Sequence, residues 1–198
     1  MLSYKESLKI LKKTDAILEG HFILSSGLHS GCYVQCAKLL SFPKEASKIC
    51  TSLSKKIIKA FPSANLILSP AIGGIIIGYE IGRLLNIETI FSERVSGRFE
   101  LRRGFSIRKS SRVIILEDVI TTGKSSLECV KLIKESNAKL LGFACIIDRT
   151  SKNKLKIRRN KIISQIRINI PTYKNHNLPS YLKKLPIQAP GSRFQKSK

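Results

Sequence analysis

Val113-Ile114-Ile115-Leu116-Glu117-Asp118-Val119-Ile120-Thr121-Thr122-Gly123-Lys124-Ser125-Ser126 is an apolar run that ends in two adjacent carboxylates. A small, hydroxyl-rich turn with one glycine follows, and a helix-like segment begins after it. A strand that delivers acids to its carboxyl tip, just ahead of a helix N-terminus, is where α/β proteins hold phosphorylated ligands.

Working outward, the chain alternates helical and strand-like segments. Ser3 to Leu18 carries apolar residues at helical spacing among lysines. His21 to Leu24 and Tyr33 to Cys36 read as short strands around the turn Ser25 to Gly31. Pro43 to Phe61 reads as a helix with proline in its first turn. A strand at Asn65 to Leu68, a helix at Gly73 to Leu85, and strands at Glu88 to Phe91 and Arg112 to Leu116 follow. Gly123 to Asn137 is a helix, and Leu140 to Asp148 a strand. This alternation predicts an α/β fold whose central parallel sheet is flanked by helices, with right-handed crossovers. Ligands then belong at the carboxyl ends of the strands. Three ends carry unusual chemistry: Ser69 to Gly74, Glu117 to Ser125, and Asp148-Arg149.

The 198 residues are 42% hydrophobic, which suits one domain, 1–198, with its own core. Residues 1–40 add elements at one end, and the basic segment 151–198 is expected to pack on the same domain. The longest apolar stretch, Leu66 to Leu85, is broken by Pro70, Gly73, Gly74, Glu80 and Arg83, so no membrane span is expected. The N-terminus lacks the apolar core of a signal peptide. Five irregularly spaced cysteines suggest reduced thiols and a cytoplasmic protein. Cys32 and Cys36 have no second pair to complete a metal site.

The net charge is +23, and 13 Lys or Arg with no Asp or Glu fall between Ser151 and Lys198. Nucleic-acid binding is one reading of that tail. Its few aromatics, and basic residues interleaved with strand-like Ile157, Ile162, Ile163, Ile166, Ile168 and Ile170, favour a lysine-heavy surface instead. Either way, the field draws in anionic substrates.

Adjacent residues on a strand point to opposite faces, so Glu117 and Asp118 should diverge unless the chain is already turning. Thr121, Thr122 and Gly123 let backbone N–H groups converge, and the helix dipole behind them suits a phosphate dianion. The hydroxyls of Thr121, Thr122, Ser125 and Ser126 add donors. A carboxylate beside a phosphate makes sense if it grips sugar hydroxyls, or waters on Mg²⁺. Together these groups describe a ribose 5-phosphate. The plain alternative is a strand-to-helix loop with threonine as N-cap. The Gly-x-x-x-x-Gly-Lys-Ser/Thr spacing is absent, and Gly73-Gly74 is not in a Gly-x-Gly-x-x-Gly frame.

The loop Glu117 to Ser126 resembles the phosphoribosyl diphosphate motif of type I phosphoribosyltransferases. The likeness to the orotate phosphoribosyltransferase family covers nearly the whole chain. His21-Phe22-Ile23-Leu24-Ser25-Ser26-Gly27-Leu28-His29-Ser30 resembles that family's N-terminal hood, and Ser69 to Gly78 its diphosphate-side loop. Phe91-Ser92-Glu93-Arg94 through Leu101-Arg102-Arg103-Gly104-Phe105 is similar to its mobile loop. Ile147-Asp148-Arg149 resembles the strand end that supplies an orotate-binding arginine, and Pro190-Gly191-Ser192-Arg193 the ending of one branch.

The resemblance implies the type I phosphoribosyltransferase fold with a hood. It implies transfer of phosphoribose from phosphoribosyl diphosphate to orotate with Mg²⁺, the ion being bound mainly through substrate. Asp118 and Arg94 would be catalytic. Asp118, with Glu117, would hold the ribose diol, and Val119, Ile120, Thr121, Thr122, Gly123, Lys124 and Ser125 would cradle the 5-phosphate. Thr121 and Arg149 would contact orotate, whose carboxylate suits a guanidinium fork. The family's mobile loop reaches into a neighbouring subunit, which implies a homodimer. Relatives with a purine substrate, or a non-catalytic regulator that keeps the donor site, are the alternatives. The chain departs from the family where many members carry lysine: Ser25 in the hood and Gly73 in the diphosphate-side loop. Arg94, Arg98, Arg102 and Arg103 are the candidates to supply that charge, and His29 is open between substrate contact and turn.

Overall fold

The computed structural model describes residues 1–24, 26–150 and 161–189. Ser25, Ile157 with the rest of the 151–160 stretch, and Pro190 to Arg193 lie outside the described residues.

Helix α1 (Tyr4–Lys13) opens on a capping box, in which the Ser3 hydroxyl accepts the Glu6 N–H and the Glu6 carboxylate accepts the Ser3 N–H. It ends earlier than the expected Leu18. Thr14 bonds its hydroxyl back to the Ile10 carbonyl, and Asp15 turns the chain at φ +54°. Leu18 therefore falls in strand β1 (Ile17–Ile23), which pairs antiparallel with β2 (His29–Val34). Cys36, expected at a strand end, instead starts helix α2 (Cys36–Leu40), which buries Leu39 and Leu40.

Helix α3 (Pro43–Ala60) has proline in its first turn and buries Ala46, Ile49, Cys50, Leu53 and Ile57 along one stripe. Then come β3 (Leu66–Pro70), α4 (Gly73–Leu85), β4 (Glu88–Val95), β5 (Arg98–Leu101), β6 (Arg112–Ile120), α5 (Lys124–Glu135) and β7 (Lys139–Asp148). The described C-terminal part adds β8 (Ile162–Arg167), β9 (Thr172–Tyr173), α6 (Ser180–Lys183) and β10 (Ile187–Gln188).

The large sheet runs β5-β4-β3-β6-β7-β8. Its strands are parallel except β5, which folds back on β4 as a hairpin. The smaller sheet, the expected hood, runs β10-β1-β2-β9. The isoleucines at 162–166 do form a strand, β8, at the edge of the large sheet beside β7.

Alternation along β6 divides the core in two. Ile114 and Leu116 face α1 to α4, while Val113 and Ile115 face α5. Each buried aliphatic here contributes about 1.5–3 kcal/mol of burial free energy. Helix α4 lies unusually close to the sheet. Gly74, Gly78 and Gly82 recur every fourth residue, and a Cβ at Gly78 or Gly82 would strike the hydroxyls of Ser69 and Thr89. That contact brings the start of α4 against the end of β6.

Candidate active site at the carboxyl edge of the sheet

The two acids do diverge. Glu117, in step with Val113 and Ile115, turns toward α5, where it accepts a hydrogen bond from the Ser126 hydroxyl. Asp118 turns toward α4 and lies against Gly73. Its Oδ1 accepts the Val119 N–H at 2.8 Å. Neither carboxylate has a Lys or Arg partner within ion-pair distance among the described residues. Burial pushes the Glu117 carboxyl up to about 7, opposed by the Ser126 hydrogen bond and reinforced by the neighbouring Asp118 charge. Burial likewise raises Asp118, against the pull of the Val119 N–H. Two desolvated acids without cations form a place for incoming hydroxyls or a divalent ion.

Gly73 lies close against Asp118. A Cβ there would stand 2.8 Å from Asp118 Oδ1 and 2.9 Å from its Cγ. Any side chain at 73, lysine included, would begin inside the space that the Asp118 carboxylate occupies.

The turn after β6 leaves Thr121 and Thr122 exposed at the rim. Gly123 caps α5 at φ +73°, a conformation that suits glycine. Gly123 has no side chain to cap the helix, and the N–H groups of a first turn have no carbonyl ahead of them to bond. Among the described residues, that of Lys124 meets the Thr122 hydroxyl at 3.4 Å and that of Ser126 bonds the Glu117 carboxylate. Val119 to Ser125 thus bring a helix N-terminus to the same edge as the acids.

Arg149 follows the last residue of β7, and its N–H bonds the Ile120 carbonyl at 2.8 Å, which ties the two loops together. Its side chain is half-buried, and its Nε has no hydrogen-bond partner among the described residues. Burial lowers its affinity for a proton, and its neighbour on the hood is the Cys32 thiol. A half-buried guanidinium without a carboxylate is costly unless a ligand anion completes it.

Arg94, expected to be catalytic, is engaged within its own hairpin and with α5. It stacks over Phe99 at 4.1 Å, donates to the Gly97 carbonyl at 2.6 Å, and pairs with Glu128 of α5 at 2.8 Å. The mobile-loop segment contains a β-hairpin, and of its other arginines Arg102 and Arg103 both pair with Glu93. His29 is neither in a turn nor exposed. It is buried in β2, with Nδ1 at 2.7 Å from His21 Nε2.

Two groups named in the sequence have roles here that the sequence did not show. Gly73 matters through its closeness to Asp118, and the Gly73-Gly74 pair with Gly78 and Gly82 is the signal that could have shown it. The side chain of Asp148 is the other: fully buried, with Oδ2 accepting Arg167 Nε at 2.6 Å. That pairing joins residues too distant in sequence to be anticipated.

Comparison with known proteins agrees with this geometry. A model of the phosphoribosyl transferase domain matches residues 42–182. The orotate phosphoribosyltransferase of Parvibaculum lavamentivorans is 44% identical over 97% of this chain and 98% of its own length. That of Chlorobaculum parvum is 41% identical over 97% of each chain. The crystal structure of orotate phosphoribosyltransferase from Aeropyrum pernix superposes with a TM-score of 0.69 at 20% identity, covering 81% of this chain and 92% of that one, a likeness of fold. With relatives this similar matched end to end, and the acid pair, helix N-terminus and half-buried arginine gathered at one sheet edge, the chain belongs to the orotate phosphoribosyltransferase family.

Proposed function

We propose that the protein transfers the phosphoribosyl group of 5-phospho-α-D-ribose 1-diphosphate to orotate. The products are orotidine 5′-monophosphate and diphosphate, a step of pyrimidine nucleotide synthesis. The observation that carries this reading is the half-buried guanidinium of Arg149, which pairs with no carboxylate among the described residues, at the same edge as Glu117 and Asp118. The acids suit a ribose diol, and the guanidinium suits the carboxylate of orotate.

The transition state has oxocarbenium character, so positioning and charge handling do most of the work. Asp118 and Glu117 hold the diol, Val119 to Ser125 hold the 5-phosphate, and Thr121 and Arg149 hold orotate. Two carboxylates are too few donors for a resident Mg²⁺, but they suit an ion that arrives on the diphosphate's own oxygens and offsets charge on the leaving group. For Arg94 to reach the diphosphate, it exchanges Glu128 for that anion.

The enzyme acts as a homodimer built from one domain per chain. The support is an apolar stripe along α4, where Ile72, Ile76 and Tyr79 are 86%, 57% and 68% exposed. No helix among the described residues is long and apolar enough to cross a membrane. The five free thiols fit the cytoplasm.

The test is to incubate purified protein with phosphoribosyl diphosphate, Mg²⁺ and orotate, in parallel with adenine, guanine and hypoxanthine. Orotidine monophosphate from orotate alone is the expected result. A purine nucleotide in its place would overturn the assignment.

A further inference from the structure

We propose that Asp148, held by Arg167, is a positioning residue for substrate recognition: it fixes the direction in which Arg149 leaves the sheet and keeps that guanidinium free for the acceptor carboxylate. This inference rests on the proposed orotate reading.

On the last rung of the sheet, Asp148 stands opposite Ile120 of β6 on one side and Arg167 of β8 on the other. The backbone is clamped from both sides. The Arg149 N–H bonds the Ile120 carbonyl at 2.8 Å, and the Asp148 carbonyl accepts the Ile168 N–H at 2.9 Å. The side chain closes the bracket. Its Oδ1 accepts the Thr150 N–H at 2.8 Å, a turn that encloses Arg149 between its two ends. With the backbone fixed before and after it, Arg149 can search only its own side-chain rotamers.

Arg167 serves a second purpose. The Asp148 carboxylate has no exposed surface and needs a cation, and Arg167 supplies it from the half-exposed side of β8. One carboxylate and two arginines thus divide so that the outer arginine is consumed and the inner one keeps its charge for a ligand. A buried ion pair is poor value for stability alone, since apolar residues of similar volume often do as well. Its placement one residue before the acceptor-binding arginine gives it a use.

Arg167→Gln and Asp148→Asn separate this role from a purely structural one. Both Michaelis constants are measured, together with thermal unfolding with and without phosphoribosyl diphosphate. The KM for orotate should rise about tenfold or more, because a misplacement of the order of an ångström is enough for such a loss. The KM for phosphoribosyl diphosphate should stay within about twofold, and the thermal shift it induces should persist. Arg167→Lys should recover most of the orotate affinity.

If Asp148→Asn does not fold, Arg167→Gln, at a half-exposed site, decides alone. An orotate KM within about twofold of wild type in Arg167→Gln would overturn the proposal. So would both constants rising together with a fall in melting temperature. Wild-type protein that forms no orotidine monophosphate would overturn the proposed reaction as well, which distinguishes the two failures.

Discussion

Gly73→Ala adds one methyl group at the point where α4 meets the acid pair. The new carbon would lie 2.8 Å from Asp118 Oδ1 and 2.9 Å from Cγ and Oδ2, where ordinary contact begins at 3.4 Å. Carboxylate or helix must therefore give by roughly 0.5 Å or more. The helix has little freedom to move inward, because even a Cβ placed on Gly74 would stand only 3.0 Å from the Leu116 carbonyl oxygen. The carboxylate must move, and it loses its 2.8 Å bond from the Val119 N–H. Overpacking of this kind costs about 1–3 kcal/mol, which in transition-state terms is about a 5- to 150-fold fall in kcat/KM. Alanine is the better helix former, by at most about 1 kcal/mol, so thermal stability should change less than activity. Initial rates of orotidine monophosphate formation, with melting temperatures on the same preparations, measure both. Repeating the substitution in an Asp118→Ala background, where the space is vacated, should abolish the effect on stability. A kcat/KM within about twofold of wild type, or an undiminished stability cost in the double variant, would refute the steric reasoning.

Three further outcomes follow from the site's electrostatics. The folded state holds the Glu117 proton up to about pH 7, whereas an unfolded chain releases it near the ordinary 4.5. Stability is therefore full below that lower value, falls as pH rises through the interval by up to about 3 kcal/mol, and is flat above it. Glu117→Gln should flatten the melting profile between those limits, and an unchanged slope would count against the burial argument. Asp118→Asn should lower turnover by about 10²-fold or more while leaving the melting temperature equal or higher, because the buried charge is removed; near-wild-type turnover would refute its role. Arg149→Gln should weaken orotate binding about tenfold or more and stabilise the ligand-free protein, since a half-buried cation that pairs with no carboxylate among the described residues disappears. Calorimetric titration and thermal melts would show a contradiction if affinity held or stability fell.

The parts of the fold that were legible in the sequence are those written in local pattern. Gly73–Leu85 was bounded correctly because a glycine pair opens it, while the strand expected at Arg112 to Leu116 was read from its apolar run but continues through both acids to Ile120, where pairing with β7 holds it extended. The end of α1 was missed because Leu18 continues a helical spacing that Asp15 interrupts with a backbone conformation, not a side-chain pattern. The two-residue strands Thr172–Tyr173 and Ile187–Gln188 carry no period at all. They exist only because β2 and β1 offer edges to pair with. The same division holds at the site. Residues contiguous with the Glu117 loop were assembled as expected, and Arg149 with them. Arg94, assigned to the site by resemblance, pairs with Glu128 and stacks on Phe99. A long cation's choice among several carboxylates is a tertiary outcome that spacing does not encode.

The opposite facing of Glu117 and Asp118 makes β6 a partition between two environments. The acidity of Glu117 is set on the α5 side, by Ser126 and the burial there, while Asp118 answers to Gly73 and the start of α4. A change in one helical layer acts first on the carboxylate it touches and reaches the other through the repulsion between the two charges. Substitutions such as Ser126→Ala and Gly73→Ala therefore reach the acid pair from opposite faces of the sheet, each acting first on the carboxylate it touches.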